Sequence, residues 1–360
     1  MALLLACAAT FAVGYAGKQY INGGMVPPEL LSHTDLSEKV AIITGASMGG
    51  IGHETASALY RLGANVVIAV RDVNAGEKVQ QEILNHVKNI KRARNHTTGK
   101  PIVYGSVQVI KLDLADLDSV KLFADEFLDR YDRLDILVNN AGIMMTPHGT
   151  TKQGIEKQFG TNHLGHFLLT HLLLDILKKS NGRVINLSSR AGEHWVGGED
   201  ETRLVTDPST KKNVMSGFAS FALDTVNHEC KDIKEERLYG RSKFANMVFA
   251  RRLEREFRKD PTTMATAYSV HPGVVRTNLW RELNKLYFIV SYPFWWYGTK
   301  SPYQGAQTSI YLSIAPINDL KGGHYYADCK MEIGHKAALD EELQDRLWDT
   351  SMELCKEYIR

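Results

Sequence analysis

A glycine-rich turn between a strand pattern and a helix pattern is the feature that most constrains the fold of this chain. The apolar, β-branched residues Val40–Thr44 run directly into a turn at 45–52, and an amphipathic helix pattern follows at 53–62. Glycine lets the backbone turn sharply and approach a pyrophosphate, and a helix N-terminus offers free N–H groups to that anion. A flexible surface turn would use similar residues, but the order of strand, glycine turn and helix favours the first βα unit of a dinucleotide-binding sheet.

The rest of the globular part repeats this alternation. Apolar strand patterns at 65–70, 107–112, 134–138 and 183–187 are separated by helical patterns at 74–90, 117–129 and 154–178. The strand at 65–70 lacks polar alternation, as expected for a parallel strand buried on both faces. The chain therefore belongs by pattern to the α/β class, and we predict a Rossmann-type doubly wound parallel sheet flanked by helices, in a single domain at 38–360.

Composition excludes several other classes. The chain is 44% apolar and 23% charged with a formal net charge of +2, which is typical of a globular protein and indicates no nucleic-acid partner. Its four cysteines have neither metal-ligand nor redox spacing, so we expect reduced thiols. Histidines recur within the helical pattern at positions His163, His166 and His171. No acidic residue or cysteine stands close enough to complete a metal site, so we interpret the histidines as packing residues and predict no metal.

The N-terminus carries a separate signal. Residues 1–16 are almost wholly apolar, and Lys18 is the first charge. We predict a membrane anchor at 1–21 and a linker at 22–37; a signal or transit peptide, which would usually start with basic residues, and a buried helix are the alternatives. Lys18 favours a main domain that faces the cytoplasm. The sequon Asn95-His96-Thr97 would carry sugar only if that domain were lumenal.

The residue after the second strand bears on the choice of dinucleotide. The strand ends at Val70, where a sheet that binds a free ribose 2′-hydroxyl usually has an acid, and Arg71 follows at once. A guanidinium pairs well with a phosphate dianion through its planar fork. Arg71 therefore favours NADP over NAD, with a plain surface arginine as the alternative.

Two other strand ends carry polar residues. Asp113-Leu114 follows the third strand, and Asn140-Ala141-Gly142 follows the fourth. Ligands bind at the carboxyl ends of the strands in such sheets, so a cofactor role is a better interpretation than an ordinary turn.

Tyr239 and Lys243 stand four residues apart, and therefore on one face of a helix. A phenol has a pKa near 10 and is a poor acid or base at neutral pH, but a neighbouring ammonium lowers that pKa. Strand five runs straight into Ser188-Ser189, which places hydroxyls where a substrate carbonyl could be polarised.

Together these motifs, with His271-Pro272-Gly273, resemble the short-chain dehydrogenase/reductase family over residues 38–360. Within it the chain is most similar to the microsomal retinol dehydrogenase group. The stretches that carry this likeness lie at 162–171, 269–275, 305–309 and 346–349. That group has an N-terminal membrane anchor, so the resemblance also implies the membrane, and we expect the endoplasmic reticulum with the catalytic domain facing the cytoplasm.

The resemblance implies a role for each matching residue. Tyr239 would be the general acid/base, Lys243 would hold the nicotinamide ribose and lower the pKa of Tyr239, Ser189 would orient the substrate oxygen, and Asn162 would anchor the active-site helix and a proton-relay water. The residues implied to bind NADP are Gly45, Ser47, Gly50, Ile51, Gly52, Arg71, Asp113, Leu114, Asn140, Ala141, Gly142, Tyr239, Lys243, Pro272, Gly273 and Thr277.

The sequence departs from the family in three places. Ser189 and Tyr239 are unusually far apart, so we expect an insertion at 191–235 that forms either an extra loop at the active-site entrance or a disordered segment. A second insertion at 88–105 is basic, and either a solvated loop or a patch that touches lipid headgroups. The glycine turn has four residues, 46–49, where the family has three. We expect the extra residue to bulge, with Gly49 absorbing the strain.

An aromatic stretch at 286–297 falls where the family's substrate loop lies. It could cap a hydrophobic pocket, dip into a membrane interface, or pack in the core.

We expect an oxidoreductase that interconverts a hydrophobic alcohol and its carbonyl, with retinol and retinal as the first candidates. A steroid or lipid carbonyl is the alternative substrate, and a non-catalytic NADP-binding membrane protein the alternative class. A homo-oligomer remains open.

Overall fold

The computed structural model describes residues 17–94, 104–194, 204–206, 213–215, 226, 230–277, 279 and 297–359. Residues 1–16, most of the insertion at 191–235, and nearly all of the aromatic stretch at 286–297 lie outside these ranges, as does the sequon. Nothing in the structure therefore tests what we predicted for those segments.

One mainly parallel sheet of eight strands organises the described chain. Its strands are β1 (Val40–Thr44), β2 (Asn65–Val70), β3 (Val107–Lys111), β4 (Ile136–Asn139), β5 (Arg183–Leu187), β8 (Thr266–His271), β9 (Tyr325–Ala327) and β10 (Lys330–Glu332); β6 (Leu204–Thr206) and β7 (Asn213–Met215) form a separate pair. The order of strands across the sheet is β10-β9-β8-β5-β4-β1-β2-β3, and within this sheet only the pair β9–β10 is antiparallel. The predicted α/β fold with a doubly wound parallel sheet is confirmed.

Helices cover both faces of this sheet. They are α1 (Pro28–His33), α2 (Ile51–Arg61), α3 (Val73–Arg94), α4 (Leu117–Arg130), α5 (Lys157–Phe159), α6 (Gly165–Leu172), α7 (Leu174–Lys179), α8 (Ala191–His194), α9 (Glu235–Arg258), α10 (Pro302–Ile314) and α11 (Glu341–Cys355). Short 3₁₀ turns lie at Ile317–Asp319 and Lys336–Leu339.

Strand β1 shows why the central strand patterns are apolar throughout. Val40 and Ile42 belong to the core on the face that carries α4, α9 and α11, whereas Ala41 and Ile43 belong to the core on the face that carries α2 and α10. Alternate side chains of a strand point to opposite faces, so a strand with helices on both sides has no polar face.

The helix predicted at 154–178 is wrong as one continuous helix. A π-helical turn at Gly160–Leu164 separates α5 from α6, and Leu173 breaks the helix again before α7. Within the wide turn, the carbonyl oxygen of Asn162 lies 3.2 Å from Asn246 Nδ2 and 3.0 Å from His166 Nδ1. π turns are frequent at functional sites, and this one carries Asn162.

Two features at the edges of the fold were not predicted. The segment predicted as a linker at 22–37 contains α1, and Val26 is buried, with its N–H donating to Gln307 Oε1 over 3.1 Å. The sheet ends in an antiparallel hairpin because Asp328 and Cys329 both have positive φ, as a two-residue type I′ turn requires. Within the described ranges, no helix combines the length and apolar character needed to cross a membrane.

Candidate active site

A cavity of about 410 Å³ opens at the carboxyl ends of β1, β2, β4 and β5. Strand order changes direction between β1 and β4, which is where ligands bind in doubly wound sheets. The predicted residues that line it are Gly45, Ser47, Gly50, Ile51, Arg71, Asp113, Leu114, Asn140, Ala141, Gly142, Tyr239, Lys243, Pro272 and Thr277. Of the other predicted residues, Gly52, Asn162, Ser189 and Gly273 are not part of its wall. The tertiary fold thus brings together motifs that lie far apart in sequence.

The glycine turn accommodates its extra residue as expected. Gly49 has a φ of +64°, in the left-handed region, and a Cβ there would meet nothing within 4 Å. Met48 beside it is exposed, and the turn closes through the N–H of Gly50, which donates to Ser47 O over 2.9 Å. Gly52 still packs closely against Asn140, because a Cβ at Gly52 would lie 2.5 Å from Asn140 Nδ2. The additional residue therefore projects outwards, and Gly50 remains the N-cap of α2.

Thr44 fixes the loop that follows β4. Its hydroxyl oxygen accepts hydrogen bonds from the N–H groups of Asn140, at 2.9 Å, and Ala141, at 3.0 Å. Its carbonyl oxygen accepts from Asn140 Nδ2 at 2.7 Å. The tips of β1 and β4 are thereby held together at the cavity wall. We did not single out Thr44 as a site residue, although its position before Gly45 is visible in the sequence.

Tyr239 lies at the inner end of the cavity, near the first turns of α9. It is buried, and the Ser189 side chain makes a hydrogen-bonding interaction with it. Burial raises the pKa of Tyr239 above that of a free phenol, and the interaction with Ser189 only partly opposes this shift. The neighbouring Ser188 is instead committed to the backbone, since its hydroxyl donates to Lys243 O over 2.5 Å. The second serine of the pair is therefore the one beside Tyr239.

Lys243 contradicts one electrostatic expectation. Its ammonium lies 5.7 Å from the centroid of the Tyr239 ring and donates to Leu187 O over 3.0 Å. Burial lowers the pKa of Lys243 itself to about 8 and raises the pKa of Tyr239. In this structure burial therefore outweighs the expected lowering of the tyrosine pKa, because desolvation disfavours both the phenolate and the ammonium.

Asn162 ties three elements together. Asn162 Oδ1 accepts from the N–H of Ile143 over 2.8 Å. Asn162 Nδ2 donates to Ile143 O and to Ser242 Oγ, over 2.9 Å in each case. A Cβ on Gly142 would lie 3.3 Å from both Asn162 Oδ1 and Lys243 Nζ. The loop after β4, the π turn and α9 thus converge at Gly142.

Asn246 is a residue that sequence reasoning missed. Its Nδ2 donates to the carbonyl oxygens of Asn162, at 3.2 Å, and Leu187, at 2.9 Å. It lies one turn beyond Lys243 on α9, so spacing on the same helix face was the available signal.

The wall fits a nicotinamide dinucleotide. Gly45, Gly50 and Gly142 line the cavity without side chains, and α2 begins on the same wall at Gly50, where its first N–H groups are available to an anion. Arg71 supplies a cation at the end nearest β2, while Lys243, Pro272 and Thr277 line the other end. The volume is within the range of small-molecule and cofactor sites.

The three histidines agree with the packing interpretation. His166 Nε2 is 2.9 Å from Thr44 Oγ1, and His163 Nε2 is 3.1 Å from Ser351 Oγ. Burial lowers the pKa of both, to about 4 for His166 and about 3 for His163. Among the residues that the structure describes, no cluster of three metal-ligating side chains occurs.

Comparison with known sequences gives long matches. A profile of the short chain dehydrogenase family matches residues 39–199. The chain is 40% identical to retinol dehydrogenase 12 of Mus musculus over 340 residues, which is 94% of this chain and 91% of the relative. It is 37% identical to retinol dehydrogenase 14 of Homo sapiens over 322 residues, 87% of this chain and 85% of the relative. A chloroplastic short-chain dehydrogenase, TIC 32 B of Brassica napus, is 34% identical and covers 95% of this chain and 96% of the relative.

Solved structures agree on the fold. An uncharacterized protein from Mycobacterium paratuberculosis superposes with a TM-score of 0.63 at 28% identity, covering 91% of this chain and 97% of that one. A short-chain type dehydrogenase/reductase from Mycobacterium marinum gives a TM-score of 0.56 at 24% identity, with 83% of this chain and 96% of that one covered. The arrangement of sheet and helices is thus shared well beyond the short motifs.

Proposed function

Because this chain belongs to the short-chain dehydrogenase/reductase family and to its retinol dehydrogenase group, we propose that it is an NADP-dependent oxidoreductase that interconverts a hydrophobic alcohol and its aldehyde or ketone. The observation that carries the proposal is the placement of Tyr239, with Ser189 beside it and Lys243 below its ring, at the inner end of the cavity. Proton transfer to or from a substrate oxygen needs this kind of positioned acid.

The residues support an assignment of roles. Ser189 would hold the substrate oxygen next to Tyr239, and Tyr239 would donate its proton to that oxygen during reduction and recover it during oxidation. The phenol is protonated at neutral pH, so its proton is present for transfer to the substrate oxygen. Asn162 and Asn246 would keep α9 in register with β5. The nicotinamide, when bound, supplies or accepts the hydride.

The location of Lys243 supports a positioning role. Its ammonium stands beside Gly142 and bonds to Leu187 O, so it lies where a ribose between the two strand ends would pass. Arg71, at the opposite end of the cavity, would pair with the 2′-phosphate that distinguishes NADP from NAD. The neighbouring carboxylate of Asp72 accepts from the N–H of Ala75 over 3.1 Å, within the first turn of α3.

Retinol and retinal are the first substrates to test, since the mouse and human relatives above are named as retinol dehydrogenases. The cavity wall near Tyr239 includes the apolar side chains of Ile143, Met144, Leu187 and Leu279. We further propose attachment to the endoplasmic reticulum membrane through the apolar N-terminus, as expected for this group.

A turnover panel tests this function. The full-length protein in membranes or detergent should reduce retinals, steroid ketones and fatty aldehydes to different extents with NADPH, with retinals preferred. Tyr239→Phe should lower kcat by at least about a hundredfold, because it removes the proton donor and little else. Tyr303→Phe is the matched control, since Tyr303 lies exposed on α10.

Each contrary outcome corrects a different part of the proposal. Full activity in Tyr239→Phe would exclude its role as the acid. Equal turnover with NADH and NADPH would show that Arg71 does not select the phosphate. Preference for a steroid or a fatty aldehyde would retain the reaction and replace the substrate.

A further inference from the structure

The segment that follows the apolar N-terminus packs against the far side of the cavity wall. Residues 17–22 are helical, and two glycines then lie directly on the turn of the β9–β10 hairpin. A Cβ on Gly24 would lie 1.9 Å from the backbone oxygen of Asp328, and one on Gly23 would lie 2.6 Å from Lys300 Nζ. Only a chain without side chains at these positions can approach so closely.

Lys300 connects this segment to the cofactor cleft. It is buried and its ammonium forms an ion pair with Asp328. Its alkyl stem lies against Gly273, where a Cβ would be 2.7 Å from Lys300 Cδ and Cε. Its backbone pairs with the loop that follows β8: Lys300 N–H donates to Val274 O over 2.8 Å, and Arg276 N–H donates to Lys300 O over 3.0 Å.

A second connection runs through Lys18. Its ammonium donates to Tyr297 O over 2.9 Å and to Thr299 O over 2.7 Å. The oxygen of Thr299 also accepts from Arg276 Nη1 at 2.8 Å. The N-terminal segment is therefore bonded to residues 297–299, and Thr299 and Lys300 are in turn bonded to the loop 272–277, whose residues Pro272 and Thr277 line the cavity.

We propose that residues 17–26, the N-terminal strap, position the loop 272–277 and so contribute to binding the nicotinamide half of the cofactor, with Lys300 as the positioning residue between strap and loop. The inference rests on the proposed function, because that function puts the nicotinamide beside Tyr239, at the end of the cavity that Pro272 and Thr277 also line. Among the described residues, the strap makes no hydrogen bond to the glycine turn or to Arg71, so we expect its effect to fall mainly on the nicotinamide half. On this proposal the strap acts on the cofactor site through the loop 272–277 and is more than a passive linker.

The test compares two ligands in the full-length protein. Gly24→Ala introduces a Cβ that the Asp328 backbone must move to admit, at a residue whose own φ is not in the left-handed region. We expect the Kd for NADPH to rise by about fivefold or more, while the Kd for adenosine 2′,5′-bisphosphate, which lacks the nicotinamide half, stays within about twofold. The matched control is Gly298→Ala, because a Cβ at Gly298 would meet nothing within 4 Å; it should change neither constant.

Lys18→Gln provides a second variant that leaves the packing of Gly24 intact. It removes the two ammonium bonds to Tyr297 O and Thr299 O and should weaken NADPH binding in the same selective way. Equal weakening of both ligands by the variants would mean general destabilisation and would overturn the inference, as would unchanged NADPH binding. A wild-type protein that binds the bisphosphate but not NADPH would overturn the proposed function and the inference with it.

Discussion

At the scale of single residues, desolvation dominates the pKa shifts of the proposed catalytic pair, Tyr239 and Lys243. Tyr239 and Lys243 are both buried, and burial favours the neutral form of each: it raises the pKa of Tyr239 and lowers that of Lys243 to about 8. Sequence spacing indicated that the two side chains share a helix face. It could not indicate that neither would be hydrated, because the burial comes from elements distant in sequence.

The lowered pKa of Lys243 predicts a pH dependence of stability. An unfolded lysine titrates near 10.5, so above pH 8 the unfolded chain binds the proton more strongly than the native protein does. The free energy of unfolding therefore rises with pH in this window. Relative to Lys243→Met, the ligand-free wild type should gain about 2 kcal/mol between pH 8 and pH 9.5.

Denaturant unfolding at several pH values measures this difference. Lys121→Met, which removes an exposed lysine on α4, should give no comparable rise. If the difference in free energy of unfolding between wild type and Lys243→Met did not change with pH, Lys243 would keep its proton in the native state.

At the scale of elements, the glycine turn gives the clearest prediction. Met48 is exposed and Gly49 faces open space, so the extra residue does not displace the N-terminus of α2. Deleting Met48 should therefore change the Kd for NADPH by less than about threefold, because the anion site depends on the helix N-terminus rather than on the bulge.

Fluorescence titration with NADPH gives that Kd directly. Tenfold tighter binding by the deletion variant would indicate that the natural turn holds the helix N-terminus out of place. Gly52→Val should abolish binding and gives the reference for a damaging change, because a Cβ at Gly52 would lie 2.5 Å from Asn140 Nδ2 and 3.0 Å from Ala46 Cα.

Some elements were not predictable from local pattern. The π turn at Gly160–Leu164 has the same apolar periodicity as a regular helix, and Asn246 and His166, whose side chains contact the Asn162 carbonyl, identify it only in the folded chain. The β9–β10 hairpin lacks the usual Asn-Gly or Asp-Gly pair, and Asp328-Cys329 forms the turn instead. In both cases the backbone adopts a form that its own sequence only weakly prefers.

At the scale of the whole molecule, the orientation across the membrane is open to a direct test. We predict that the domain faces the cytoplasm, so the sequon at Asn95 should remain without sugar in cells that glycosylate lumenal proteins. Treatment with a glycosidase should leave the electrophoretic mobility unchanged.

Asn95→Gln is the matched control for that experiment, and its mobility should equal that of the wild type. A glycosidase-sensitive shift that disappears in Asn95→Gln would place the domain in the lumen and reverse the predicted orientation.

The sequence alone determined the class of fold and identified many of the residues that line the cavity. The apolar strands, the glycine turn and the Tyr239–Lys243 spacing are local patterns. Each is formed by residues close together in the sequence, so it can be recognised without the tertiary structure. The tertiary structure alone decided how burial shifts the ionisation of Tyr239 and Lys243, and that Gly24 packs on the Asp328 turn. These properties depend on desolvation and on contacts between segments hundreds of residues apart, which no local pattern encodes.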